Sequence, residues 1–128
     1  MIEQKEATYT LAHGYLQDQH PDLITEFDTI YENLYDTLQK SEVAPDKPGA
    51  SRSWEGPAFD GSMGGSAIIA VVSFIGYEFA KATIKATIKG DLLPPVLDQL
   101  EEKLTQLTRR PKLVSAIRKR INQIIQEM

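Results

Sequence analysis

The chain has no cysteine, one tryptophan and two histidines in 128 residues. The missing cysteines exclude disulfides and thiolate metal sites. They leave the compartment open, with a reducing cytoplasm as the simpler expectation. General acid–base chemistry most often rests on histidine, and here the whole supply is His13 and His20, seven residues apart. They can share a helix face, but a metal site needs further ligands, and Glu6 is the one local candidate at the same spacing. No serine sits in a nucleophile-elbow sequence. The opening Met1-Ile2-Glu3-Gln4-Lys5-Glu6 lacks the basic start and apolar run of a secretory signal. No catalytic residue, metal ligand or cofactor is therefore assigned, and the chain reads as a non-enzyme.

What is present suits one domain of ordinary size. Hydrophobic residues make up 41% and charged residues 25%, enough for a core inside a solvated surface. The net charge of −4 conceals an asymmetry. Residues 1–60 hold twelve acidic and four basic side chains (4 − 12 = −8), and residues 61–128 hold six acidic and ten basic (10 − 6 = +4). Such a split suits either a rear half that seeks an anionic surface or two halves that attract each other.

The periodicity predicts an all-α, five-helix bundle-like domain with a long irregular loop between helices 2 and 3. A first, modest helix over 3–19 places Leu11, Ala12, Tyr15 and Leu16 on one face; Gly14 weakens it and Pro21 ends it. The second carries Leu23, Ile24, Phe27, Ile30, Tyr31, Leu34 and Leu38 at three- and four-residue spacing. Its opposite face bears Asp28, Glu32 and Asp36, which repel one another. Prolines 45, 48 and 57, with several glycines, then abolish any period across 42–63, the pattern of a linker or functional loop. Trp54 and Phe59 are expected to anchor part of that loop on a helix surface. The organisation is thus an acidic helical pair over 1–41, the Pro/Gly-rich segment 42–63, and an apolar helix with a basic amphipathic hairpin over 64–128.

The third helix is predicted over 65–89. Its first half, Ser66 to Tyr77, is uncharged and apolar all round, so protein or lipid must surround it. Its second half carries a four-residue repeat that places Lys81, Lys85 and Lys89 in one row and Ile84 with Ile88 in another. Gly90 ends it. A fourth helix opens at Pro94-Pro95, with Val96, Leu97, Leu100, Leu104 and Leu107 inward. Arg109-Arg110-Pro111 turns into a last helix striped by Leu113, Val114, Ile117, Ile121, Ile124, Ile125 and Met128, and so short a connection predicts an antiparallel hairpin.

Two sequence features invite a ligand. Asp60-Gly61-Ser62-Met63-Gly64-Gly65-Ser66 precedes a helix N-terminus, which favours anions, but it lacks the Gly-Lys-Ser/Thr ending and follows no strand. A hinge is the better reading. The basic cluster Arg109, Arg110, Lys112, Arg118, Lys119 and Arg120 suits an anionic surface or the acidic row of helix 2, and the pairing with helix 2 is preferred. Nucleic acid fits poorly with a pI near 5.2 and no nearby stacking aromatic.

The apolar helix leaves two readings open. The charge-free run over 61–77 falls short of the roughly twenty residues that span a bilayer. A longer span would place Glu78, Lys81 and Lys85 in hydrocarbon at about 2.5–3.5 kcal/mol each near the centre. The helix is then the buried centre of a bundle, or a conditionally membrane-active element whose small residues permit close helix contact. Candidate interaction or membrane residues are Ile68, Val72, Ile75, Gly76, Phe79 and Ala80 on its apolar part. The lysines Lys81, Lys85 and Lys89, with Arg118, Lys119 and Arg120 on the tail, complete the set.

The run Phe59-Asp60-Gly61-Ser62-Met63-Gly64-Gly65, followed by the apolar Ser66–Tyr77, resembles small effector-associated components of bacterial conflict (defence) systems. That resemblance implies partnership with a protease or sensor rather than catalysis. Two functions follow. The first is a helical protein–protein interaction module, an oligomer subunit or adaptor, with a protein partner or self-association. The alternative is a latent effector that disrupts anionic membranes once the loop is cut at an accessible basic residue, Arg52.

Overall fold

Helical periodicity governs every described element of the chain. A computed structural model describes residues 3–41 and 65–127, without the side chains of 40, 41, 65–67 and 127. The expectations for the 42–63 loop, Trp54, Phe59, Arg52 and the glycine hinge, and Met128 of the last stripe, lie outside the described residues.

Helix α1 spans Gln4–Gln19, a 3-10 turn follows over Pro21–Leu23, and α2 spans Ile24–Ser41. The third helix, α3, is Gly65–Lys89, the bounds expected from the pattern. It ends on Gly90 in the left-handed region at φ 77°. The Asp91 N–H donates to the Ala86 carbonyl at 2.8 Å and the Gly90 N–H to the Thr87 carbonyl at 3.2 Å, a Schellman closure that satisfies two end carbonyls. Helix α4 covers Leu93–Thr108 with prolines in its first turn, where a missing N–H costs nothing.

The final stripe is one helix in sequence pattern but two in structure, α5 (Pro111–Lys119) and α6 (Ile121–Glu127). At Arg120 the ladder tightens: its N–H donates to the Ile117 carbonyl and its own carbonyl accepts from Gln123, both three residues away. The apolar stripe runs on through this tightened turn, with Val114, Ile117, Ile121 and Ile124 all buried. Ile125 departs from expectation at 39% exposure.

The core is built around α3. Every residue from Val71 to Ala80 is buried, so this part of the apolar stretch is sheltered on all sides by protein, while Ile68 and Ala70 before it are half-buried. Its most extensive neighbour is α1, whose Ala7, Thr8, Leu11, Ala12 and Leu16 are buried against it. The approach is close because Gly76 has no side chain. A Cβ there would lie 3.4 Å from the Thr8 carbonyl oxygen and 3.5 Å from Leu11 Cβ. Phe27, Tyr31, Tyr35 and Leu38 from α2 complete one side, and Leu97, Leu104 and the α5–α6 stripe the other. One cluster of buried side chains thus draws on all six helices.

Candidate functional site

The expected contact residues divide sharply by location. Val72, Ile75, Gly76, Phe79 and Ala80 are buried inside the bundle, and Ile68 is half-buried. The close helix–helix contact expected of the small residues is made within the chain, between α3 and α1. Lys85 and Lys89 are exposed, beside Ile88 at 66% and Leu92 at 77% exposure. Lys81 folds back over the Tyr77 ring, 5.5 Å from its centroid, with its ammonium 3.5 Å from Glu78 Oε2.

Glu78 is the one charged side chain in the central buried segment. Burial pushes its carboxyl above the ordinary carboxylate range, against the opposing pull of Lys81. Lys81 stands at ion-pair distance, yet Oε2 has no aligned hydrogen-bond donor among the described residues. Ser73 Oγ and Thr83 Oγ1 on the same helix are likewise buried without a hydrogen-bond partner. The sequence marked Glu78 only as an obstacle to spanning lipid.

The charged surface is partly spent inside the fold. Arg118 pairs with Asp98 and, at 2.6 Å, with Glu101, tying α5 to α4. Arg120 pairs with Asp18 at the end of α1. These partners differ from the acidic row of α2 that the pattern suggested. That row has other neighbours: Lys5 pairs with Glu32, and the Tyr9 hydroxyl donates to Asp28 at 2.6 Å. Burial and the facing Asp28 carboxylate push that hydroxyl up to about 12. Tyr31 donates to the Lys5 carbonyl at 2.6 Å and is also pushed up by burial. A ladder of aromatic rings therefore backs this acidic face: Tyr9 stacks on His13 and Phe27 at 5.2 and 5.3 Å, and Tyr35 meets Tyr77 edge-on at 5.7 Å.

Two faces of opposite sign result. Grooves along α1 and α2 are lined by Glu3, Glu6, Asp28, Glu32 and Asp36, with Lys5 among them. On the other side, Arg109, Arg110 and Lys112 surround a cleft of about 550 Å³ where the α4–α5 turn meets the end of α1 and the start of α3. Exposed Lys119 continues the basic surface along α5, in a groove shared with Glu101 and Ser115. No protein-family model, curated protein or solved structure matches this chain. The reading of the site therefore rests on these faces.

Among the described residues no helix is long and apolar enough to cross a membrane. No three His, Asp or Glu side chains converge as metal ligands among them either. His13 lies against Tyr9, and His20 lines the basic cleft rather than joining His13. The cleft is the feature that pattern reading missed. Its parts come from positions near 15–20, 68–71 and 109–113; Arg109, Arg110, Lys112, Ile68 and His20 each stood out in the sequence for other reasons, and nothing there brought them together.

Proposed function

We propose that this chain is a non-enzymatic protein–protein interaction module, an oligomer subunit or adaptor, that engages its partner through segregated charged faces. The observation that carries this reading is the fate of the apolar helix. With Val71–Ala80 consumed in the core, an acidic α1–α2 face and the basic α4–α5 turn are available for recognition. Opposed faces on one molecule favour head-to-tail contact between copies, in which two different patches meet. Light scattering on the eluting full chain tests this at about 0.1 M and about 1 M salt, where the screening length falls from about 10 to about 3 Å. The expected result is a mass above the monomer that rises with protein concentration and collapses at high salt. A monomer at every concentration in low salt, or an oligomer indifferent to salt, rejects self-association through these faces.

A second reading is favoured by the order of the helices. The acidic α1–α2 pair that covers α3 precedes Arg52 in the chain, and the covered helix follows it. In this reading, and in keeping with the resemblance to conflict-system components, a cut at Arg52 separates cover from apolar helix, and residues 53–128 attack anionic membranes. Limited proteolysis of the full chain followed by dye release from anionic liposomes tests it. Dye release that begins with the cut supports the latent effector; sealed liposomes after complete cleavage reject it.

A further inference from the structure

The last turns of α3 carry a bare face. Thr83 and Ala86 are buried on the inner side, whereas Lys85, Ile88 and Lys89, three and four residues apart, share the outer side and are exposed. Ile88 is 66% exposed and Leu92, just past the helix end, 77%; the next large hydrophobic exposed among the described residues, Ile125, stands at 39%. Two bare aliphatic side chains within five residues make a corner whose contact with water is unfavourable. Lys85 and Lys89 form no ion pair among the described residues, while Lys81, one turn earlier, is held by Glu78. Asp91 is the one carboxylate of this corner.

A groove of about 630 Å³ between the start of α1 and the middle of α2 has the opposite make-up. Its aromatic lining is Tyr9 and Tyr31. Their hydroxyls already donate to Asp28 and to the Lys5 carbonyl, so what remains on offer is ring carbon. Two of the groove's carboxylates are also engaged, Asp28 by Tyr9 and Glu32 by Lys5. The other two, Glu3 and Glu6, are exposed and form no ion pair among the described residues. Lysines four apart on a helix stand about 5–6 Å from each other, close to the separation of residues that bracket one helical turn, as Glu3 and Glu6 do.

We propose that the α3 corner of one copy docks in the α1–α2 groove of a second copy: Ile88 and Leu92 lie against Tyr9 and Tyr31, and Lys85 and Lys89 meet Glu3 and Glu6. Each surface has an apolar centre flanked by charge, and the two signs are opposite, which fixes register as well as attraction. An anionic lipid surface suits the corner less, because Asp91 stands beside the lysines and the whole chain carries −4. This inference rests on the self-association reading above and names the surface that meets the acidic face.

Light scattering on the full chain at about 0.1 M salt compares the native protein with three double variants, each first shown by circular dichroism to melt as a folded helical protein. Ile88→Ser with Leu92→Ser should weaken association by at least about tenfold, the loss expected from two aliphatic anchors. Lys85→Glu with Lys89→Glu, and Glu3→Lys with Glu6→Lys, should each run as a monomer where the native chain associates. The two reversals move the net charge in opposite directions, so a loss common to both is not an effect of net charge. Their equimolar mixture should recover the native mass, because every corner then finds a groove of opposite sign. A native chain that is monomeric in low salt rejects self-association itself, and this docking with it. Native association that all three variants retain, or a mixture that stays monomeric, overturns the docking alone and leaves the interaction module standing. Flotation of the native chain on phosphatidylcholine vesicles with and without phosphatidylserine completes the test. A monomer that floats only with phosphatidylserine, and loses this with Ile88→Ser and Leu92→Ser, assigns the corner to lipid and overturns the proposal.

Discussion

Replacing Gly76 tests the contact on which shelter of the apolar helix depends. Two effects compete at this position. Alanine in place of a mid-helix glycine favours the helix by about 0.8–1 kcal/mol. The added methyl would lie 3.4 Å from the Thr8 carbonyl oxygen, 3.5 Å from Leu11 Cβ and 3.7 Å from the Ala12 nitrogen. Those are ordinary contact distances, and each well-placed atom pair contributes only about 0.1–0.2 kcal/mol of attraction. Gly76→Ala is therefore expected to be neutral or to stabilise by up to about 1 kcal/mol. A leucine differs in kind. Two of the three nearest atoms belong to the α1 backbone, which cannot rotate aside. Gly76→Leu must then push α1 from α3 and lose about 3 kcal/mol, the upper end of ordinary overpacking. Urea unfolding followed by far-ultraviolet circular dichroism measures both. Destabilisation by Gly76→Ala beyond about 1 kcal/mol would refute ordinary contact distances at this position, and a leucine variant as stable as the native chain would refute close packing of α1 on α3.

Other substitutions probe separate parts of the fold. Phe27→Ala empties a fully buried site among the rings of Tyr9 and Tyr31 and should cost about 3–5 kcal/mol in the same unfolding assay. Glu78 has a folded-state pKa raised by burial, so the folded chain holds its proton to higher pH than the unfolded chain. Stability should fall as pH rises from the ordinary carboxylate range through that raised value, then level off. Glu78→Gln should abolish this component of the slope and leave the chain more stable near neutrality, as read from melting temperatures between pH 4 and 8. Arg118→Ala breaks two pairs to α4 that are partly open to water and should cost about 1 kcal/mol or less, resolved by a double-mutant cycle with Glu101. Gly14→Ala places a Cβ 2.9 Å from the Arg120 guanidinium, a flexible side-chain end that can swing away. A net gain of up to about 1 kcal/mol in thermal unfolding is expected from the helix term.

The parts of the fold legible in the sequence were those with a strong periodic signal. The bounds of α3 followed from a charge-free start, a four-residue lysine repeat and Gly90. The inward faces of α2, α4 and α5 followed from aliphatic spacing. The prominence of α1 was not legible. Small or polar side chains such as Ala7 and Thr8 carry little hydrophobic signal, yet they permit the nearest approach to Gly76. Tyr35 is buried beside Tyr31, although only Tyr31 belonged to the predicted stripe. The break at Arg120 was hidden because spacings of three and four residues continue through it. The basic cleft joins three distant segments, which a reading along the chain cannot bring together.

The cationic tail shows why composition alone misplaces function. Six basic residues lie within 109–120, which read together suggest one adhesive surface. The fold divides them. Arg118 and Arg120 turn toward Asp98, Glu101 and Asp18 and fasten α5 to α4 and to the end of α1. Their charges are largely cancelled at short range, so they contribute little to the field that an approaching partner meets. Arg109, Arg110 and Lys112 lie instead at the α4–α5 turn, where they line a cleft with Tyr15, His20 and Ile68. The same short stretch therefore serves two places in the fold, the α4–α5 junction and the face that α5 turns toward α4 and α1. The division falls within a single turn of backbone: α4 ends where Arg109 adopts its left-handed conformation, and the cations at and just after that point line the cleft.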